Sequence, residues 1–212
     1  MQLTTSQRLL FVKGSPRGAQ STSARVADTF LRAYRARYPD AVIDEIDLWC
    51  DPLPEFDGDK AAAKMTFFGE GSLDGARRTA WDQIVEITQR FMSANDYLFT
   101  VPMWNGGIPY RLKLYIDLLT QPGLLFGFDP TLGYSGLLKG KRATAIYTSG
   151  VYAPGVPAAF GTDHHATYFD AWLRSVGITD IAAVRYQPTL LTADPVAGLN
   201  LAQQEALDAC QR

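Results

Sequence analysis

The fold of this chain is decided by residues 96–119, which read DYLFTVPMWNGGIPYRLKLYIDLL. The run from Tyr97 to Val101 is apolar and rich in residue types that favour β-strands, and it ends at Pro102. After the loop MWNGG (103–107), Pro109 stands where a helix would begin, and apolar residues then recur at helical spacing. The stretch therefore predicts a strand, a loop and a helix.

The loop between this strand and this helix has an unusual composition. A simple connection favours small polar residues, whereas 103–107 presents a thioether, an indole and an amide before two glycines. Glycines let a flat molecule approach the backbone, and ligands of open α/β sheets bind at the carboxyl ends of the strands. The loop is either the wall of a planar cofactor site or a tight turn whose Met103 and Trp104 cap the core.

Length and composition indicate an ordinary globular protein. The chain has 212 residues, 47% hydrophobic and 20% charged, with a net charge of −2, so neither nucleic acid nor an anionic membrane is an expected partner. No segment is long enough to span a bilayer, and the first residues, MQLTTSQRLLFVKG, hold too short an apolar run for a signal peptide. Cys50 and Cys210 match no metal or redox spacing, which favours free thiols in a reducing compartment such as the cytoplasm.

Strands and helices are predicted to alternate along the chain. The predicted strands are 8–13, 41–48, 97–101, 142–147 and 180–186. The predicted helices are 21–38, a segment around 81–91, 109–119, 163–173 and 195–210. This alternation indicates parallel strands joined by right-handed crossovers, and it suits a single domain over 1–212 with a doubly wound, three-layer α/β fold and a five-stranded sheet of order 2-1-3-4-5.

Two long connections interrupt the alternation. Residues 51–71 are rich in prolines, glycines and charges, and we expect them to form a surface loop near the site. Residues 121–139 are too apolar for a free linker, and we expect a hairpin-like excursion that packs on something. The helix after Pro109 is also apolar on nearly every side, whereas a helix packed only on its own sheet shows one stripe. Its extra face and the excursion together predict a homodimer.

Polar loops follow three of the predicted strands. The first ends in Ser21, Thr22 and Ser23 at a helix start, where N–H groups and the helix dipole favour an anion; the alternative is a plain serine N-cap. Neither a Walker A lysine nor G-x-G-x-x-G is present, so the loop suits a monophosphate better than a triphosphate. The third loop is TSGVY (148–152). Because the three loops follow parallel strands, we expect them at one edge of the sheet.

Three segments resemble the FMN-dependent NADH azoreductases, within the flavodoxin-like NAD(P)H–quinone reductases. They are KGSPRGAQSTS (13–23), VPMWNGGIPYRLKLYIDLL (101–119) and KRATAIYTSG (141–150), and GITDI (177–181) also fits. The most specific part is P-M-aromatic-N followed by L-K-x-Y-x-D at 112–117. The resemblance covers most of the chain. It implies a flavodoxin-like fold, FMN as cofactor, NADH or NADPH as donor, quinones or azo compounds as acceptors, and ping-pong hydride transfer.

The same resemblance implies which residues surround the flavin. The phosphate would be held by Ser15, Ser21, Thr22 and Ser23; the ring would be lined by Met103, Trp104, Asn105 and Gly106; and its pyrimidine side would be closed by Ser149, Gly150, Val151 and Tyr152. Asn105 and Tyr152 are the candidate catalytic residues, and no metal is implied. The chain departs from the family at Gly106, where a bulky residue is common, and after Ser149, where the family often has R-G-G. Both departures touch the substrate pocket.

Other interpretations stay open at this point. A flavodoxin-like electron carrier would usually be strongly acidic, unlike this chain, and a scaffold or sensor without flavin would not need all three loops. An FMN reductase that releases its flavin is the alternative within the enzymes. His164 and His165 are adjacent and would point about 100° apart on a helix, so they form no metal pair, and one is expected to be solvated. Together with Asp163, which is expected to cap that helix, they are also candidate proton sources.

Overall fold

The computed structural model describes residues 7–212, so the expectation about a leader, as far as it concerns residues 1–6, lies outside the described part. A parallel five-stranded sheet forms the centre. Its strands are β1 (Arg8–Lys13), β2 (Val42–Asp47), β3 (Asp96–Pro102), β6 (Arg142–Thr148) and β7 (Asp180–Tyr186). They lie in the order β2-β1-β3-β6-β7 across the sheet. Two further strands, β4 (Phe126–Asp129) and β5 (Gly133–Gly136), pair with each other as an antiparallel hairpin.

The parallel sheet confirms the predicted architecture, and the hairpin confirms the predicted excursion. The strand numbering differs from the predicted 2-1-3-4-5 because β4 and β5 lie between β3 and β6 in the chain but outside the sheet. The bounds predicted for β1 and β7 agree with the structure to the residue. β3 is buried along its whole length, as expected for a central strand covered on both faces.

Six helices surround the sheet in the described part of the chain. They are α1 (Thr22–Arg37), α2 (Gly58–Met65), α3 (Gly75–Met92), α4 (Tyr110–Leu119), α5 (Ala166–Ser175) and α6 (Pro195–Gln211). Apolar residues of α1 and α6 share one core cluster with β1, β3, β6 and β7, whereas those of α3, α4 and α5 share the cluster on the other face. The sheet is thus covered by helices on both sides.

The prediction of a plain surface loop over 51–71 is wrong, because this segment contains α2 and a short 3-10 turn, Thr66–Phe68. Asp57 caps α2, since its side chain accepts a hydrogen bond of 3.0 Å from the N–H of Lys60. The helix has only eight residues, too few for a clear apolar period to stand out from the surrounding prolines and glycines. Likewise α3 begins at Gly75, before the first apolar residue of the predicted segment.

The extra apolar face of α4 is covered within the chain, so the argument that it needs a second copy is wrong. Leu118 is fully buried in a cluster with Ala63 of α2 and with Trp81 and Ile84 of α3. Leu114 packs at the edge of the same cluster. Thus α2 and α3 supply the partner surface that the sequence pattern of α4 requires.

Candidate functional site

The loop after β3 is a tight turn at the carboxyl edge of the sheet. The N–H of Trp104 donates to the carbonyl of Gly107 at 2.8 Å, and the N–H of Gly107 donates back at 3.0 Å. The two residues between them, Asn105 and Gly106, have φ of 50° and 81°, as in a type I′ turn, for which Asn-Gly is the preferred pair. The turn presents the half-exposed indole of Trp104. Gly106 suits this position, since positive φ favours glycine.

The loop after β1 forms a cradle of hydroxyl and N–H groups at the start of α1. The Ser21 hydroxyl caps the helix by accepting from the N–H of Ala24 at 3.2 Å, and it lies 3.0 Å from the Ser23 hydroxyl. The N–H groups of Thr22 and Ser23 have no acceptor among residues 7–212. The N-cap interpretation and the anion-site interpretation can therefore both hold. The hydroxyl of Ser21 caps the helix, while the N–H groups of the next two residues are left to bind an anion.

The loop after β6 lies beside the turn after β3. The N–H of Met103 donates to the carbonyl of Thr148 at 2.7 Å, which joins the two loops where their strands end. The hydroxyl of Ser149 donates to the carbonyl of Tyr152 and curls the segment between them. The N–H groups of Gly150, Val151 and Tyr152 have no acceptor within the described chain. They are available to bind carbonyl oxygens of a ligand.

These loops enclose one cleft of about 340 Å³. Six of the predicted site residues line it: Ser15, Thr22, Met103, Trp104, Ser149 and Gly150. Ser21 and Ser23 are buried behind the cradle, and Asn105, Gly106, Val151 and Tyr152 belong to the lining loops but not to the lining itself. The expectation that the three loops meet at one edge of the sheet is confirmed.

The cleft has lining residues that the sequence interpretation missed. Arg17 adds a guanidinium to the cradle, for which the sequence interpretation named only hydroxyl and N–H groups. Thr189 and Leu190 come from a fourth loop, after β7, whose backbone bonds to the carbonyls of Ser149 and Gly150. Arg17 could have been found from its place in the first loop. The fourth loop has no distinctive composition, and only its position after a parallel strand pointed to the same edge.

A short segment before α5 supports the turn from outside. The N–H of His164 donates to the carbonyl of Gly106 at 3.0 Å, and Nε2 of His165 bonds to the carbonyl of Val101 at the end of β3. As expected, one histidine, His164, is exposed, whereas His165 is fully buried. Burial lowers the pKa of His165, so its ring is neutral at pH 7 and donates through Nε2. The N-cap residue of α5 is His165 and not the predicted Asp163, but the Asp163 carboxylate, two residues earlier, accepts from the N–H groups of His165 and Ala166.

Tyr152 lies on the outer side of its loop, toward this same segment. A Cβ built on Gly161 would lie 3.6 Å from Tyr152 Cβ, so the side chain packs over that glycine. Partial burial, and then the nearby Asp163 carboxylate, raise the pKa of the Tyr152 phenol. The phenol therefore keeps its proton at neutral pH and can donate a hydrogen bond.

The residues present fit FMN. At one end of the cleft, unpartnered N–H groups at a helix start, hydroxyls and Arg17 suit a phosphate dianion. At the other, free N–H groups of the loop after β6 suit the carbonyl oxygens of an isoalloxazine ring, with Met103 and Trp104 as apolar walls.

Comparison with known proteins places the chain in a class. A family model for proteins of flavodoxin-like fold matches residues 7–209, and the chain belongs to that family. An FMN-dependent NADH:quinone oxidoreductase of Ruegeria pomeroyi is 55% identical over 195 residues, which cover 92% of this chain and 96% of the relative. A relative of the same name from Desulfotalea psychrophila is 40% identical over 183 residues, 86% of each chain.

A solved structure agrees with these relatives. The crystal structure of an FMN-dependent NADH-azoreductase from Bacillus anthracis, in complex with FMN, matches with a TM-score of 0.84 and 28% sequence identity. The match covers 97% of this chain and 98% of that one. The predicted family resemblance and flavodoxin-like fold are confirmed.

Proposed function

We propose that this protein is an FMN-dependent NADH:quinone oxidoreductase that also reduces azo compounds. The observation that carries the proposal is the cleft itself, where loops from four parallel strands meet with free N–H groups at both ends. The 55% identity to an FMN-dependent NADH:quinone oxidoreductase supports the same activity. When bound, FMN would supply the redox chemistry that links hydride transfer from NADH to two-electron reduction of the acceptor.

The protein's own groups hold and orient the cofactor. The N–H groups of Thr22 and Ser23, the hydroxyls of Ser15 and Thr22, and the guanidinium of Arg17 bind the phosphate. Ser21 and Ser23 act behind them, since their hydroxyls bond to each other and to the helix start. A charge-assisted hydrogen bond of this kind contributes about 1.5–3 kcal/mol.

The ring site uses backbone more than side chains. Met103 and Trp104 form one wall, Asn105 and Gly106 shape the turn, and the N–H groups of 150–152 bind the polar edge of the ring. Fixed N–H dipoles stabilise negative charge there without reorganising during the reaction. No nucleophilic side chain is required.

Donor and acceptor are proposed to use one open face of the ring in turn, which gives ping-pong kinetics. Double-reciprocal plots of initial rate against NADH concentration, at several quinone concentrations, should then be parallel lines. Intersecting lines together with an isolated ternary complex would contradict a shared face.

A spectrum of the purified protein followed by anaerobic NADH titration tests the activity. We expect a yellow protein that keeps one FMN per chain on dialysis, is bleached by NADH and recovers its colour with a quinone. An electron carrier would show no bleaching by NADH, and a flavin reductase would lose its colour on dialysis. A protein that purifies without flavin and shows no spectral change with added FMN would contradict the proposal.

The protein is further proposed to act as a homodimer in the cytoplasm. The hairpin β4–β5 exposes large apolar side chains, which supports a partner surface. The cysteines Cys50 and Cys210 are free, which supports a reducing compartment. Among the described residues, no helix has both the length and the apolarity needed to cross a bilayer.

A further inference from the structure

The fourth loop is fixed to the third by main-chain hydrogen bonds. The N–H groups of Thr189 and Leu190 donate to the carbonyls of Ser149 and Gly150, each at 2.8 Å, and the N–H of Leu191 donates to Gly150 at 3.2 Å. Three consecutive donors leave this part of the loop little freedom to move relative to the cleft. The position of Leu190 is therefore part of the site.

Leu190 lies directly over Gly150. A Cβ built on Gly150 would stand 3.1 Å from Leu190 Cδ1 and 3.6 Å from Cγ, so a larger residue at 150 would displace the leucine. Nevertheless, Leu190 is 79% exposed and lines the cleft. One side of the leucine packs on the glycine and the remainder faces solvent at the mouth of the cleft.

Strand order places Leu190 at the end of the cleft opposite the phosphate cradle. The cradle follows β1, the walls of the ring site follow β3 and β6, and Leu190 follows β7, the next strand beyond β6. With about 4.8 Å between neighbouring strands, the ends of β1 and β7 are roughly 14 Å apart. A molecule stacked over the middle of the cleft would extend toward Leu190 on the side away from the phosphate.

Several exposed apolar side chains lie near Leu190. Trp104 is exposed and lines the cleft. Val151 and Leu191 are also exposed, and they adjoin Gly150 and Leu190, which line it. The three residues come from three different loops. Single exposed apolar residues are normal, but several that converge on a cleft mark a contact surface. In the part of the chain that the structure describes, Arg17 is the one charged residue of the lining, and it belongs to the cradle.

We propose that Leu190 is a specificity-determining residue that contacts the alkyl substituent of the acceptor. The protein then prefers alkyl-substituted quinones to unsubstituted quinones and to anionic azo compounds. This inference rests on the proposed function and names the acceptor class of that same site.

The first test compares kcat/KM for an alkyl-substituted benzoquinone and for benzoquinone itself. In Leu190→Ser the ratio should fall about tenfold. This is the low end of the effect of one methylene group in a hydrophobic pocket, and we expect the low end because the mouth of the cleft is open to solvent. Leu190→Met should keep the ratio, and so should the matched control Leu201→Ser, which changes an exposed leucine on α6. FMN affinity should be unchanged in Leu201→Ser, and all kcat/KM values are measured at saturating FMN so that the ratio reports the acceptor alone.

The second test adds charge and a measurement that needs no turnover. Leu190→Arg should raise kcat/KM for a sulfonated azo dye severalfold at low ionic strength, and salt should remove the gain. A redox-inert alkylnaphthalene should bind the FMN-loaded protein more weakly in Leu190→Ser than in Leu201→Ser, as measured by calorimetry.

The outcomes separate the two proposals. Unchanged kcat/KM ratios and unchanged alkylnaphthalene affinity in Leu190→Ser would overturn the role of Leu190 and leave the proposed function intact. A wild-type protein that oxidises no NADH with any quinone or azo dye would overturn the function. In that case calorimetry still decides whether Leu190 contacts an alkyl group.

Discussion

Asn105 has two proposed roles, one in the backbone of the turn and one toward FMN. Its φ of 50° is needed by the turn, and its amide is a candidate contact for FMN. Asn105→Gly removes the amide and keeps the turn, whereas Asn105→Ala also strains the backbone, by roughly 1 kcal/mol. We expect FMN to bind threefold to tenfold more weakly in both variants, which corresponds to the net free energy of about one neutral hydrogen bond.

Titration of the apoprotein with FMN measures the contact of the amide with FMN. Urea unfolding of the same variants measures the contribution of residue 105 to the turn. Only Asn105→Ala should lose stability. If Asn105→Gly bound FMN as tightly as the wild type, the amide would have no role beyond the turn.

Tyr152 is predicted to donate a hydrogen bond to the acceptor, for which its side chain has to turn from Gly161 toward the cleft. Because its pKa is raised above 10, the phenol stays protonated throughout the neutral range. Tyr152→Phe removes the hydroxyl but keeps the ring over Gly161. The acceptor half-reaction should slow or change its preference among acceptors, while the NADH half-reaction changes less.

Stopped-flow measurement of each half-reaction at equal FMN content provides the test, with Tyr152→Gly as the variant that also removes the packing. If neither variant altered either half-reaction, Tyr152 would only shield the edge of the site.

At the scale of an element, the segment before α5 links the stability of the turn to pH. An unfolded histidine has a pKa of about 6.5, and burial places that of His165 lower. As the pH falls, the unfolded chain therefore takes the proton first. The contribution of neutral His165 is complete above about pH 6.5 and is lost as the pH falls from there toward the folded pKa.

His165→Gln can still donate to the carbonyl of Val101 and does not titrate. Urea unfolding at saturating FMN between pH 8 and 5 should show a smaller loss of stability on acidification in this variant than in the wild type. The matched control is His164→Gln, at the exposed neighbour. Equal losses in the wild type and His165→Gln would rule out this linkage.

The contact of α4 with α2 and α3 gives a second prediction for an element. Leu118→Ala would open a cavity in the cluster that also holds Ala63, Trp81 and Ile84. The free energy of unfolding should fall by about 2–5 kcal/mol. Leu201→Ala, at a leucine of α6 that is 63% exposed, should change it by less than about 0.5 kcal/mol. A similar small change in Leu118→Ala would mean that α2 does not cover this face in solution.

At the scale of the whole molecule, the sequence correctly predicted the features that depend on local sequence pattern. The strands β1 and β7 were predicted to the residue because each is a short apolar run bounded by turn residues. The three loops were assigned to one edge because parallel strands leave no other choice. The Asn-Gly pair also contained the signal for the turn after β3.

What was missed depends on contacts between distant segments. The partner of the second face of α4 lies more than thirty residues earlier in the chain, on α2 and α3. The fourth loop joins the site through backbone hydrogen bonds to Ser149 and Gly150. No pattern of side chains in the sequence predicts these bonds. Tertiary packing, and not local preference, decides both.

The hairpin is held rigidly although its apolar residues are exposed. A Cβ on Gly136 would lie 2.2 Å from the nitrogen of Gly177, and the N–H of Leu138 donates to the carbonyl of Val176. The base of the hairpin is thus packed tightly on the turn between α5 and β7. Its exposed side chains are presented by a fixed element, as a contact surface requires, and not by a loose loop.

We therefore expect a homodimer that uses this hairpin. Leu132 and Tyr134 are 87% and 72% exposed, and a stable interface must bury about 800 Å² on each partner. Sedimentation at micromolar concentration should give twice the 23.4 kDa of one chain. Leu132→Asp combined with Tyr134→Asp should give the monomer, because two carboxylates would have to be desolvated at the contact. Leu201→Asp on α6 should remain dimeric. A wild-type monomer would refute the dimer, and a dimeric double variant would move the interface away from the hairpin.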